Sequence, residues 1–140
     1  MAPYRASVRV RFAEIDRAGI VYYPRFFHYF HIAFEEFFDD CVGTPYHDLI
    51  DRRRIGFPTV HLECDYRAPL NYGDRLEVRL SVLHLGDSSV KFLYRIHREG
   101  EEAAAEATVT VVCVDMDSFR PIPVPDDLRA VFERFREEAG

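Results

Sequence analysis

The sequence predicts an α+β domain in which one long helix is wrapped by a five-stranded antiparallel sheet. Three observations carry this expectation. Apolar residues, mostly aromatic, recur at helical spacing from Phe26 to Cys41. One alternating segment precedes that stripe, and four more follow it, joined mostly by tight turns. A single helix among strands with short connections fits one antiparallel sheet curled on the helix.

Ala6–Phe12 reads as a half-buried strand, with Ala6, Val8, Val10 and Phe12 facing inward. Ala13–Tyr23 is a loop carrying Glu14, Asp16 and Gly19. Pro24 suits a first helical turn, where its missing N–H costs nothing. The helix then buries Phe26, Phe27, Phe30, Ala33, Phe34, Phe37, Phe38 and Cys41, and Gly43 and Pro45 end it. Thr44–Pro58 reads as an irregular connection containing Arg52-Arg53-Arg54. Val60–Ala68 alternates, with Val60, Leu62, Cys64, Tyr66 and Ala68 inward, and Asn71-Tyr72-Gly73-Asp74 is a turn. Arg75–Leu85, Ser89–His97 and Ala103–Asp115 complete the sheet. After Pro121, Pro123 and Pro125, a tail helix spans about 126–138, with Asp126 as its cap.

Length and composition narrow the function classes. The 140 residues make one domain, 1–140, and a chain of this size buries roughly 65–70% of its unfolded surface without staples. Apolar residues are 48% and charged residues 30%, ordinary for a folded soluble protein. The longest apolar runs, such as Ala107–Val114, are too short to span a membrane, and no leader pattern opens the chain, so a cytoplasmic protein without a membrane partner is expected. With 18 basic against 24 acidic residues the net charge is −6, the wrong sign for a nucleic-acid partner. Cys41, Cys64 and Cys113 sit on apolar-patterned segments and read as reduced core residues. His28, His31, His61, His84 and His97 show no metal-ligand spacing, so no metal is expected. Leu93, Val112 and Val114 have the parity opposite to the core, which predicts a homo-oligomer burying the second face of the sheet.

The chemistry concentrates between Phe12 and Phe27. A carboxylate, Asp16, sits in a loop just ahead of a helix whose start is set by Pro24. A helix start offers unpaired N–H groups and partial positive charge, which stabilise an oxyanion developing on an acyl carbonyl. Asp16 can then attack that carbonyl or activate a water to do so. The alternative is an Asp that only hydrogen-bonds its own turn. Glu14, close to Asp16, either shares its site or, the favoured reading, is a surface partner of Arg11 or Arg17.

The run Asp16-Arg17-Ala18-Gly19-Ile20-Val21-Tyr22-Tyr23-Pro24 resembles the signature of the 4-hydroxybenzoyl-CoA thioesterase family of hotdog-fold acyl-CoA hydrolases, Asp-x-x-Gly-Ile/Val-Val-x-Tyr/Phe-Pro. The resemblance continues through Phe57-Pro58-Thr59-Val60, the strand to Arg67 and Tyr72-Gly73-Asp74, and covers the chain from Val8 to Val124. It implies a hotdog fold, dimers that pair to tetramers, and hydrolysis of a small-to-medium aryl or short aliphatic acyl-CoA. It implies Asp16 as nucleophile or general base, the Tyr23 backbone N–H as oxyanion donor, and Gly19 shaping the loop. No metal or redox cofactor is needed, because a thioester is already activated.

Two positions depart from the 4-hydroxybenzoyl type. Its acidic residue facing the aryl hydroxyl is here His31, and its basic phosphate-binding turn is here Gly86-Asp87-Ser88-Ser89-Val90-Lys91, making Ser88, Ser89 and Lys91 the candidate phosphate contacts. Arg52–Arg54 is a second candidate for phosphate, or for docking an acidic carrier protein. The competing readings are a thioesterase acting on acyl-carrier-protein thioesters and a non-catalytic acyl-CoA-binding protein. Hydratase relatives of the fold need a catalytic histidine in the loop or early helix; Ala13–Tyr23 holds none, and His28 is the nearest.

Overall fold

A computed structural model of the protein describes residues 2–137. In chain order it contains β1 (Tyr4–Arg9), α1 (Arg25–Phe37), α2 (Tyr46–Asp51), β2 (Ile55–Gly56), β3 (Thr59–Tyr66), β4 (Arg75–Leu85), β5 (Ser89–Arg98), β6 (Ala103–Val112), β7 (Val114–Asp115) and α3 (Asp126–Arg134). The main sheet is antiparallel throughout, in the order β1-β4-β5-β6-β3. Its inner face packs on α1, which is the hotdog architecture.

The core follows the sequence periodicities. Leu76, Val78, Leu80 and Val82 of β4 and Val90, Phe92, Tyr94 and Ile96 of β5 are buried on one face. The α1 stripe meets them with Phe26, Tyr29, Phe30, Ala33, Phe34 and Phe37. Phe132 of α3 closes the far end, 5.6 Å from Phe92 and 6.1 Å from Phe37 between ring centres. Each large side chain buried in this way contributes roughly 1.5–3 kcal/mol. Helix α1 runs into a wider π turn, Phe38–Val42, and Gly43 stops it at φ +79°, its N–H donating to the Phe38 carbonyl.

The structure corrects several boundaries. β1 ends at Arg9 because the Val10 N–H turns to the Asp74 carbonyl and the chain enters a 3-10 turn, Phe12–Glu14. Phe12 is therefore 72% exposed instead of facing the core. Pro24 precedes the first helical residue by one position, and Pro125, not Asp126, holds the cap position of α3. The connection 44–58 is partly regular, with α2 and a β2–β7 pairing that splits the last predicted strand at Cys113. Helix α3 stops at Arg134. Val82 N–H donates to the Phe135 carbonyl and Glu137 N–H to the Val82 carbonyl, so the tail extends the sheet where β1 runs out. Position 138 of the expected tail helix lies outside the described residues.

Two further expectations change. Leu93 and Val114 are already buried within the single chain, so they do not call for a partner on the outer face. Leu93 is paired with Ser81, whose hydroxyl donates to Glu137 of the tail, and Val114 is flanked by Gly56 and Pro121. β3 instead presents exposed apolar side chains, with Val60 60%, Leu62 46% and Tyr66 42% exposed. β3 is an edge strand, so its inward-parity residues are covered on one side only. Cys113 is buried, Cys41 and Cys64 are half-buried, and all three are free.

Candidate active site

The loop after β1 is closed by its own backbone. Asp16 N–H donates to the Ile20 carbonyl at 2.9 Å and Gly19 N–H to the Asp16 carbonyl at 3.0 Å. Gly19 makes this turn with φ +81°, a conformation that L side chains adopt only at a cost. One carboxylate oxygen of Asp16, Oδ1, accepts the Ala18 N–H at 2.8 Å. Its Oδ2 has no hydrogen-bond partner among the described residues, and the side chain is exposed. The self-turn contact and an available carboxylate oxygen thus coexist.

The turn into α1 leaves one donor free. Tyr22 N–H donates to the Glu14 carbonyl, and the N–H groups of Arg25, Phe26 and Phe27 donate to the Tyr22, Tyr23 and Pro24 carbonyls. Proline has no N–H. Among the described residues no acceptor meets the Tyr23 N–H, which sits where the helix dipole is positive.

Three side chains that sequence reasoning missed tie this loop to the scaffold. The hydroxyl of Tyr29, fully buried in α1, donates to Glu14 Oε1 at 2.9 Å, and the same oxygen accepts the Arg11 N–H at 2.7 Å. Glu14 is thus an internal anchor and not the surface partner of an arginine. Burial first, then the Glu14 carboxylate, pushes the Tyr29 phenol well above its ordinary range, so it remains a donor. Tyr66 of β3 donates to the Tyr23 carbonyl at 3.1 Å and lays its ring 4.9 Å from Phe26. Its phenol is pushed up to about 12, chiefly by burial. The available signal was Tyr29 itself, one hydroxyl retained in a buried stripe of phenylalanines, because buried tyrosine hydroxyls usually find partners.

A second feature is an apolar cavity of about 180 Å³ between α1 and the inner face of β3, β5 and β6. Phe27, Phe30, Phe34, Tyr94 and Leu62 line it, and His31 adds an imidazole to its wall. His31 sits 3.7 Å from Glu35 and edge-on to Phe34 and Tyr46.

The other candidates lie elsewhere. Ser88 and Ser89 are half-buried at the β4–β5 turn, where Arg129 of α3 donates to the Gly86 and Asp87 carbonyls, so this turn is not a solvated tip. Lys91 faces outward from β5 opposite Thr110. The length of β4 separates this turn from the Asp16 loop, roughly 33 Å at strand rise, so one chain does not bring the two together. Arg53 holds Asp127 through two bonds of 2.7 and 3.1 Å, Arg54 holds Asp117 at 3.1 Å, and Arg52 lies 3.5 Å from Asp48. That run is committed to neighbouring carboxylates, which removes it as a free basic docking surface.

Known proteins resemble this chain over most of its length. A 1,4-dihydroxy-2-naphthoyl-CoA hydrolase of Synechococcus elongatus is 30% identical over 130 residues, 92% of this chain and 94% of the relative. An acyl-CoA thioesterase of Haemophilus influenzae is 28% identical, with 92% and 93% covered. Among solved structures, a gentisyl-coenzyme A thioesterase superposes with a TM-score of 0.81 at 30% identity, covering 89% of this chain and 98% of that one. A 1,4-dihydroxy-2-naphthoyl-CoA thioesterase from Synechocystis superposes at 0.84 with 25% identity, covering 92% and 94%. The sequence profile of the thioesterase-like superfamily matches residues 10–132, and with the Asp16 loop closed on the start of α1 inside a hotdog sheet, the chain belongs to that superfamily.

Proposed function

We propose that the protein hydrolyses an acyl-CoA thioester whose acyl group is a hydroxylated aromatic ring. The observation that carries the reaction is the pairing of a carboxylate oxygen without a partner, on Asp16, with the unengaged Tyr23 N–H at the start of α1. The thioester carbonyl accepts from that N–H, and negative charge gathering on its oxygen meets a donor already in position. Asp16 then acts in one of two ways. As a nucleophile it forms a mixed anhydride while the C–S bond breaks and CoA leaves as thiolate, and water later cleaves the anhydride. As a general base it takes a proton from the water that attacks directly. Either way the products are free acid and CoA.

Support for an aryl group comes from the aromatic walls of the α1 cavity and from the names of the relatives, hydrolases of dihydroxynaphthoyl-CoA and gentisyl-CoA. His31 in that wall is the candidate partner for a ring hydroxyl, in the position where the 4-hydroxybenzoyl type carries an acid. Gly19 holds the loop, and Ser88, Ser89 and Lys91 are candidate contacts for CoA phosphates across a subunit seam. The exposed edge of β3 is the natural seam, because an apolar edge strand left open invites a second strand. A two-fold, antiparallel pairing there would bring the loop end of one protomer toward the partner's β4–β5 turn.

Thiol release from a panel of acyl-CoAs, with wild type beside Asp16→Asn, tests the reading. Cleavage of hydroxyaryl-CoA with a loss of about a hundredfold or more in the variant supports it. Full activity in the variant removes Asp16 from the reaction, and inert CoA esters leave carrier-protein thioesters or simple binding as the function.

A further inference from the structure

A second cavity shares no lining residue with the pocket beside α1. It holds about 720 Å³ on the outer face of the sheet, at the β1–β4–β5 end, on the opposite edge from β3. Five arginines line it, Arg9, Arg11, Arg75, Arg79 and Arg98, with Glu77, Glu99 and Glu101. Arg79 and Arg5 engage Glu77, and Arg98 engages Glu101. Among the described residues no carboxylate lies within ion-pair distance of Arg9, Arg11 or Arg75, so three unpaired guanidinium groups line the cavity with Glu99 in a chain of net charge −6. Arg9 and Arg75 face each other directly across the β1–β4 ladder. Like charges set opposite one another cost stability, and an anion between them relieves that cost.

Two further observations narrow the ligand. His97 lines the same cavity; its Nδ1 lies 3.0 Å from the Glu101 carbonyl, while its Nε2 is buried without a partner. Beside the cavity, a smaller hollow of about 270 Å³ shares Arg9 and Arg11 and is walled by Phe12 and Tyr72. These rings are 72% and 61% exposed and pack edge to face at 5.8 Å. Exposed aromatic faces beside unpaired guanidinium groups suit a flat base joined to phosphates.

We propose that this outer-face cavity binds a phosphorylated nucleoside, with Arg9, Arg11 and Arg75 on the phosphates and Phe12 and Tyr72 against the base. The inference does not depend on thioester hydrolysis. The nucleotide comes either from a free nucleotide acting as an effector or from the nucleotide half of CoA.

Isothermal titration of the full chain with ADP, adenosine and inorganic pyrophosphate tests it, using wild type, Arg9→Gln/Arg75→Gln and Phe12→Ser. All three positions are exposed, and thermal melts check that the variants fold. ADP is expected to bind wild type more tightly than adenosine or pyrophosphate, and to weaken at least tenfold in the arginine variant, as loss of charge-assisted bonds requires. Phe12→Ser should weaken ADP but not pyrophosphate. Equal ADP binding by wild type and the arginine variant, or no binding at millimolar ADP, overturns the site. Equal loss of ADP and pyrophosphate in Phe12→Ser overturns the base contact. Repeating the ADP titration with saturating CoA separates the sources. Displacement by CoA assigns the cavity to the nucleotide half of CoA, and undiminished binding assigns it to an effector.

Discussion

Glu14 and Tyr29 are 15 residues apart in sequence and 2.9 Å apart in space, and their hydrogen bond joins the Asp16 loop to the buried side of α1. The carboxylate of one and the phenol of the other make a charge-assisted contact at the edge of the core. The loop that presents Asp16 is therefore held by a bond whose two ends serve no chemistry themselves.

Tyr29→Phe should cost about 1.5–3 kcal/mol, the usual range for a hydrogen bond to a charged group. Turnover should fall with it, because Asp16 loses its fixed position. Urea unfolding and thiol release on the same preparation check both. Unchanged turnover would separate the anchor from the site.

Gly19→Ala should destabilise by about 1–2 kcal/mol from backbone strain alone, since φ is +81° and a Cβ there would touch nothing within 4 Å. Gly19→Asn should cost less, because Asn tolerates the left-handed region better. Thermal melts of the two variants give the order, and the reverse order would count against backbone strain as the cause.

His31→Phe should lower activity selectively. With a hydroxylated aryl-CoA, kcat/KM should drop about tenfold, the scale of one lost hydrogen bond. With benzoyl-CoA it should barely change. Equal losses on both substrates would mean that His31 only packs.

Val60→Lys on the β3 edge should abolish self-association, seen as a shift to monomer mass in light scattering, because a charge on an apolar edge blocks strand pairing. If activity persists in that monomer, the site is complete within one chain.

The Arg53–Asp127 pair predicts an acid-sensitive tie between α3 and the segment after α2. The hydrogen bond from Arg53 holds the Asp127 carboxyl below its ordinary range. Its folded value is the depressed one, so its stabilisation is present above the unfolded value and is lost as pH falls through the folded value. Both side chains are partly exposed, so Asp127→Asn should cost less than about 1 kcal/mol at pH 7. The difference from wild type should shrink as pH falls below the ordinary carboxylate range, which unfolding curves at pH 7 and at successively lower pH would reveal.

What the sequence determined by itself was local. Alternation in Arg75–Leu85 and Ser89–His97 and the aromatic stripe of α1 follow from backbone periods of two and 3.6 residues, so the buried faces were legible without a fold. The Asp16–Pro24 run was legible because its turn, its glycine and its helix start are contiguous. Tertiary structure alone decided the rest. It made β3 an edge, which left Val60 and Leu62 exposed despite a core-like pattern, and it turned Phe12 outward by drawing Val10 to Asp74. It gave Arg53 to Asp127, 74 positions away, and set Arg9 against Arg75 on neighbouring strands. Each of these depends on which distant segments meet, and in a sheet that is settled by strand order and register, which no short window of sequence contains.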